Sequence, residues 1–174
     1  MALAAVGAWN PGDTGLPANG NNVDHIYRVD PGLCVGGNGC TAGTRAKGSY
    51  EFSVNRNDQL PTAFTYWLAV DNDPTVSENL NWVNAATYWP DNAISGDGFQ
   101  NSQNFVFPGT PGGAIDPFLQ GLFSIYLEAR DGNGRAIQTL RIVEQVGDNV
   151  PVSAPAKLSR EFSGRRVLLV EDNE

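Results

Sequence analysis

The chain has 174 residues and a formal net charge of −8, with 41% apolar residues available for a core and only 17% charged ones. That length fits one β domain with a tail, which can bury about two-thirds of its unfolded surface and so folds without metals or staples. The acidic balance argues against a nucleic-acid partner, whose phosphates demand a basic surface. It also disfavours adhesion to anionic lipid, and no apolar run approaches the roughly 20 residues that span a bilayer.

The 20 glycines and 11 prolines mostly separate short apolar runs, the pattern of an all-β domain with many turns. Residues 1–22 are rich in Gly, Pro and Asn and read as an extended lead-in. Met1 to Trp9 lacks the basic start and full apolar stretch of a signal peptide, so the chain is cytosolic or begins inside a longer parent. His25–Val29 forms a short strand, and His25, the only histidine, is expected at the surface.

Residues 30–48 form a Gly-rich loop carrying Cys34 and Cys40. These two either bridge, in an oxidising compartment, or stand as free thiols in a flexible loop. With no further ligands nearby they do not make a structural zinc site. Gly36-Gly37-Asn38-Gly39 lacks the Lys-Ser/Thr ending of a phosphate-binding loop.

From Ser49 to Arg56 the chain alternates, with Tyr50, Phe52 and Val54 on one side and Glu51, Ser53 and Asn55 on the other, as a half-wet strand requires. Asn57-Asp58 turns the chain. Ala63–Asp71 is the next strand, with Phe64, Tyr66, Leu68 and Val70 on one face and Trp67 on the other. Leu80 to Trp89 reads as a strand or as an aromatic loop with a helical turn. Residues 90–104 read as a long loop, with a short strand at Gln103–Phe107 and another loop from Pro108 to Pro117. The clearest element is a hairpin of Leu122–Arg130 and Arg135–Val146 around Asp131-Gly132-Asn133-Gly134, residues that suit positive φ. Phe123, Ile125, Leu127 and Ala129 share a face with Leu140 and Ile142. Residues 147–161 then read as a linker.

Three groups offer chemistry. Asp71, Asn72 and Asp73 and, separately, Asp131 and Asn133 in the hairpin turn offer the hard oxygens that Ca²⁺ prefers, but the same residues are ordinary turn formers. Trp82, Tyr88 and Trp89, near Asn79, Asn81, Asn84, Asp91 and Asn92, either form a flat platform for a sugar ring or fill the core. A nucleophile is not in view: no Gly-x-Ser-x-Gly elbow accompanies the one histidine, so no catalytic residue and no enzyme is expected.

Residues 49–73 and 121–146 resemble strands of a bacterial immunoglobulin-like or PKD-like module, most closely in the ending Phe123-Ser-Ile-Tyr-Leu-Glu-Ala-Arg-Asp-Gly-Asn-Gly134. The resemblance covers under half the chain and lacks the Cys…Trp…Cys framework of true immunoglobulins. It implies an antiparallel, immunoglobulin-like β-sandwich over residues 23–146, serving as a spacer, adhesive or ligand-binding unit of a surface protein. Its partners would be a glycan or another surface protein. Separately, Phe162-Ser-Gly-Arg-Arg-Val-Leu-Leu-Val-Glu-Asp-Asn-Glu174 is similar to the opening of a response-regulator receiver domain. That similarity implies Glu171 and Asp172 as Mg²⁺-holding acids, although the phosphoacceptor Asp would lie beyond Glu174. The expected function is therefore a non-catalytic surface or envelope module, with a carbohydrate-binding module and a sensory fragment of a signalling protein as the alternatives. The first two place it outside the cell or in the envelope, the third in the cytoplasm.

Overall fold

A computed structural model describes residues 2–5, 25–37, 40–54, 64–75, 77–89, 93–94 and 98–147. The strands in chain order are β1 (Ala2–Ala5), β2 (His25–Val29), β3 (Ser49–Val54), β4 (Thr65–Asp71) and β5 (Leu80–Asn84). One helical turn, α1 (Ala85–Tyr88), follows, and then β6 (Ala93–Ile94), β7 (Gly98–Asn104), β8 (Gly121–Arg130) and β9 (Ala136–Val146). They form two sheets, a four-stranded one ordered β1-β3-β7-β6 and a five-stranded one ordered β2-β9-β8-β4-β5. The fold is an all-β sandwich. Its strand orders match those of an immunoglobulin-type sandwich whose first strand is divided between both sheets.

The alternating runs become the inner faces. Tyr50, Phe52 and Val54 of β3 meet Leu68 and Val70 of β4, with Phe123, Ile125 and Leu127 of β8, in one buried cluster. Burying each such side chain stabilises the fold by about 1.5–3 kcal/mol. Phe105 packs edge-on against Phe123 at 5.3 Å between ring centres and caps the lower end of this core. The β8–β9 hairpin turns through Asp131, whose Oδ1 accepts from the N–H groups of Asn133 (2.9 Å) and Arg135 (3.0 Å). Gly134 closes the turn at φ +79°, a region glycine enters without steric cost.

Four sequence expectations change. The expected lead-in contributes β1, paired antiparallel to β3, so the sandwich begins before residue 23. β2 pairs with β9 in parallel, so the architecture is not purely antiparallel. The ambiguous stretch after Leu80 is both things at once, a strand and then a helical turn. The strand expected at Gln103–Phe107 lies earlier, at Gly98–Asn104, inside the expected long loop. Its register places Asn101 opposite Phe52 and Gln103 opposite Tyr50, facing inward. There Gln103 Nε2 donates to Asn101 Oδ1 at 2.8 Å, so polar residues hold inward positions without an apolar pattern.

The loop from β2 to β3 is held at both levels of structure. Cys34 and Cys40 are joined by a disulfide, and Asn104 grips the returning strand. Its Oδ1 accepts from Ala46 N–H at 2.8 Å, and its Nδ2 donates to the carbonyls of Ala46 (2.9 Å) and Gly48 (3.0 Å). Chain entropy for so short a loop gives about 2 kcal/mol of stabilisation. A Cys34→Ser/Cys40→Ser variant should lose about that much in urea unfolding, and an unchanged midpoint would show that Asn104 holds the loop alone.

Candidate functional site

The open face of the five-stranded sheet carries the most elaborate cluster of side chains. In antiparallel pairing, residues directly opposite one another share a face. The register sets Trp82 opposite Ala69, Ala69 opposite Tyr126, and Tyr126 opposite Arg141. The next row sets Asn84 opposite Trp67, Trp67 opposite Glu128, and Glu128 opposite Thr139. All of these point away from the core, because Leu68, Val70, Ile125 and Leu127 occupy the alternate, inner positions.

Long side chains then link the rows. The Arg130 guanidinium lies over the Trp82 ring at 4.5 Å and the Trp67 ring at 4.9 Å. Its Nε donates to Glu128 at 2.8 Å, and Glu128 also accepts from the Thr139 hydroxyl at 3.3 Å. Trp82 and Tyr126 lie 6.1 Å apart between ring centres, and Arg141 lies over Tyr126 at 5.5 Å. Glu78, from the β4–β5 loop, accepts from Tyr126 Oη at 2.7 Å and from Arg141 Nη2 at 3.1 Å. At a fully exposed position an ion pair or a cation–ring contact is worth at most about 1 kcal/mol; the Arg130–Glu128 pair is partly buried, its side chains 21% and 14% exposed. What the ladder supplies is a fixed geometry across four strands.

Trp82, Tyr88 and Trp89 neither share one flat platform nor all fill the core. The strand bearing Trp82 ends at Asn84, whose Oδ1 accepts from Ala86 N–H at 3.0 Å and starts α1. That turn carries Trp89 to the other side of the sheet, against Phe52 at 5.4 Å, where it packs on the core. Tyr88 stays exposed with its ring edge-on to Trp89. Trp82 therefore keeps company with Trp67 and Tyr126. Asp91 and Asn92 lie outside the described residues.

The oxygens expected for calcium are engaged within their own turns. Asp71 Oδ1 accepts from Asp73 N–H (3.0 Å) and Asn79 N–H (2.9 Å), closing the β4–β5 loop. Asp73 Oδ1 accepts from Thr75 N–H at 2.9 Å. Burial raises the Asp71 carboxyl above its usual range, the two N–H groups pull it back, and the charges of Glu78 and Asp73 add to the rise. Asp131 and Asn133 sit at the opposite end of the sheet, since Thr65 at the start of β4 pairs with Arg130. Six residues of strand, about 20 Å, separate the two groups. Among the described residues no three His, Cys, Asp or Glu side chains gather to hold a metal. Glu171 and Asp172 lie outside the described residues, and His25 opens β2 opposite Ile142.

One buried acid was not singled out by sequence reasoning. Glu144 is fully buried, on the inner side of β9 between Ile142 and Val146. Its Oε1 accepts from Ser49 N–H at 3.1 Å. Burial pushes its carboxyl well above the usual range, against the weaker pull of that N–H. Tyr50, on the facing sheet, is also pushed well up, first by burial and then by Tyr88 and Glu144. The signal was present in the sequence: alternation from Leu140 and Ile142 puts position 144 inside.

No protein-family model matches the chain, and a search of curated proteins found no match. No helix among the described residues is long and apolar enough to cross a membrane. Fold and face together define a β-sandwich module with a cation–aromatic ladder on its open sheet.

Proposed function

We propose that this chain is a non-catalytic, immunoglobulin-like module of a larger bacterial surface or envelope protein, working as a spacer or adhesive unit. The observation that carries this reading is the placement of the first and last strands. β1 begins at Ala2, opposite Ser53, the far end of β3 from Ser49. Ser49 in turn is bonded to Glu144, near the end of β9. The chain thus enters the sandwich at one pole and leaves it at the other, as a unit strung in series needs. The ten residues of β8 set the long axis at about 33 Å. The Cys34–Cys40 bond supports an exported location, because the cytosol keeps thiols reduced.

The parallel β2–β9 pair supports the spacer role on mechanical grounds. Its five residue pairs run from His25 opposite Ile142 to Val29 opposite Val146. Once β1 is drawn off β3, tension from the chain ends slides these strands past each other and loads all the ladder bonds together. Handles at Gln120 and Gly147 would instead peel β8 from β9, one pair at a time, starting from Gly121 opposite Val146. In single-molecule pulling of the full chain, end-to-end unfolding should need several-fold more force than peeling. Equal forces would remove the spacer reading.

A further inference from the structure

The Trp67–Arg130–Trp82 corner of the open sheet has one group whose chemistry the fold does not exhaust. The guanidinium of Arg130 lies over two indole rings, and its Nε is taken by Glu128. Its remaining edge, the two terminal amino groups, makes no hydrogen bond to any described residue. The Arg130 side chain as a whole is 21% exposed. Stacking uses the flat surfaces of a guanidinium and leaves its in-plane N–H groups pointing outward. Such a fork, held rigid, matches the two oxygens of a carboxylate.

The surroundings narrow the ligand. Both indoles lie beside the fork, and the Thr65 hydroxyl, which accepts from Trp67 Nε1 at 3.0 Å, stands next to it because Thr65 pairs with Arg130. We propose that this corner binds a carboxylate-bearing sugar, the acid on the Arg130 fork and the apolar side of the ring against the indoles. An acidic sugar presents both features on one rigid unit, and apolar walls with a few fixed polar groups are how such sites select. A glutamate side chain on a peptide supplies the acid without the ring. Of the protein's net charge of −8, the part beyond about 8 Å is screened at physiological salt; the acid beside the fork, Glu128, is already engaged by Arg130 Nε and the Thr139 hydroxyl.

The test is titration calorimetry of the full chain, with a panel of uronate and sialate oligosaccharides, a methyl-esterified uronate oligomer, neutral oligosaccharides and poly-glutamate. Binding should appear with at least one acidic sugar. It should weaken at least tenfold in Arg130→Lys, which keeps the charge but loses the fork, and in Trp82→Ala, with thermal unfolding confirming that each variant folds. Esterification, which removes the charge from the ligand and leaves the protein untouched, should weaken binding as much. The proposal is overturned if no acidic sugar binds, if esterified or neutral sugars bind as well, if poly-glutamate binds equally, or if folded Arg130→Lys binds unchanged. The spacer reading stands or falls separately, on the pulling experiment.

Discussion

Replacing Gly121 with alanine is expected to destabilise the sandwich by about 3 kcal/mol or more, the upper range for forcing atoms into a packed core. A methyl group there would overlap the Cβ and carbonyl oxygen of Pro74 and come within 2.7 Å of its Cα. Pro74 is itself fixed, because its carbonyl accepts the Leu122 N–H at 3.2 Å and its ring holds the backbone stiff. The new atom therefore meets backbone and cannot be relieved by a side-chain rotation. β8 would have to shift where it starts, beside Val146 of β9. Gly132 is the matched control: it sits in the exposed hairpin turn with nothing within 4 Å of the position a methyl would take. Gly132→Ala should stay within about 0.5 kcal/mol of the parent. Urea unfolding of both variants decides the matter, and equal midpoints would mean that the β4–β5 loop yields freely.

The second large effect is a pH dependence carried by Glu144. In the unfolded chain its carboxyl releases its proton near 4.5. In the folded chain burial holds the proton to higher pH. Between the two values the folded state binds a proton that the unfolded state lacks, so stability falls as pH rises through that window. Below 4.5 the group is neutral in both states and contributes nothing. Glu144→Gln keeps an acceptor for Ser49 N–H and has nothing to ionise. The variant should match the parent at pH 4 and then gain on it by about 1.4 kcal/mol per pH unit, up to the folded pKa. Asp71 is shifted in the same direction, which makes the difference between variant and parent the quantity to follow. A variant less stable than the parent at pH 8 would show that the ionised carboxylate is accommodated after all.

The residues explain which parts of this fold were legible. Period-two alternation found β3, β4, β8 and β9, because each hides one face behind apolar side chains and wets the other. It missed β7, whose inward positions hold Asn101 and Gln103 bonded to each other. Amides that bond to one another look, in a sequence, like a loop. The same alternation set Trp67 apart from the core face, but its company on that face depends on which strands are neighbours. Trp82 reaches Tyr126 and Arg130 through register between segments more than 40 positions apart, information that no local pattern carries. Trp82 and Trp89 are close in sequence, yet the helical turn begun by Asn84 puts them on different sides of the sheet. The Asp71 and Asp131 turns illustrate a further ambiguity. A carboxylate that binds its own loop's N–H groups has the same sequence signature as one poised for a cation.

Asn104 secures the cysteine loop entirely through main-chain atoms, the N–H and carbonyl of Ala46 and the carbonyl of Gly48. Those groups are present whatever side chains the loop carries. The described residues between the two sulfurs, 35–37, are exposed, Val35 at 86%. Evolution can vary side chains there while the sandwich body stays constant, and an engineer can do the same, provided that glycine is kept at Gly36 and Gly37, whose φ is positive.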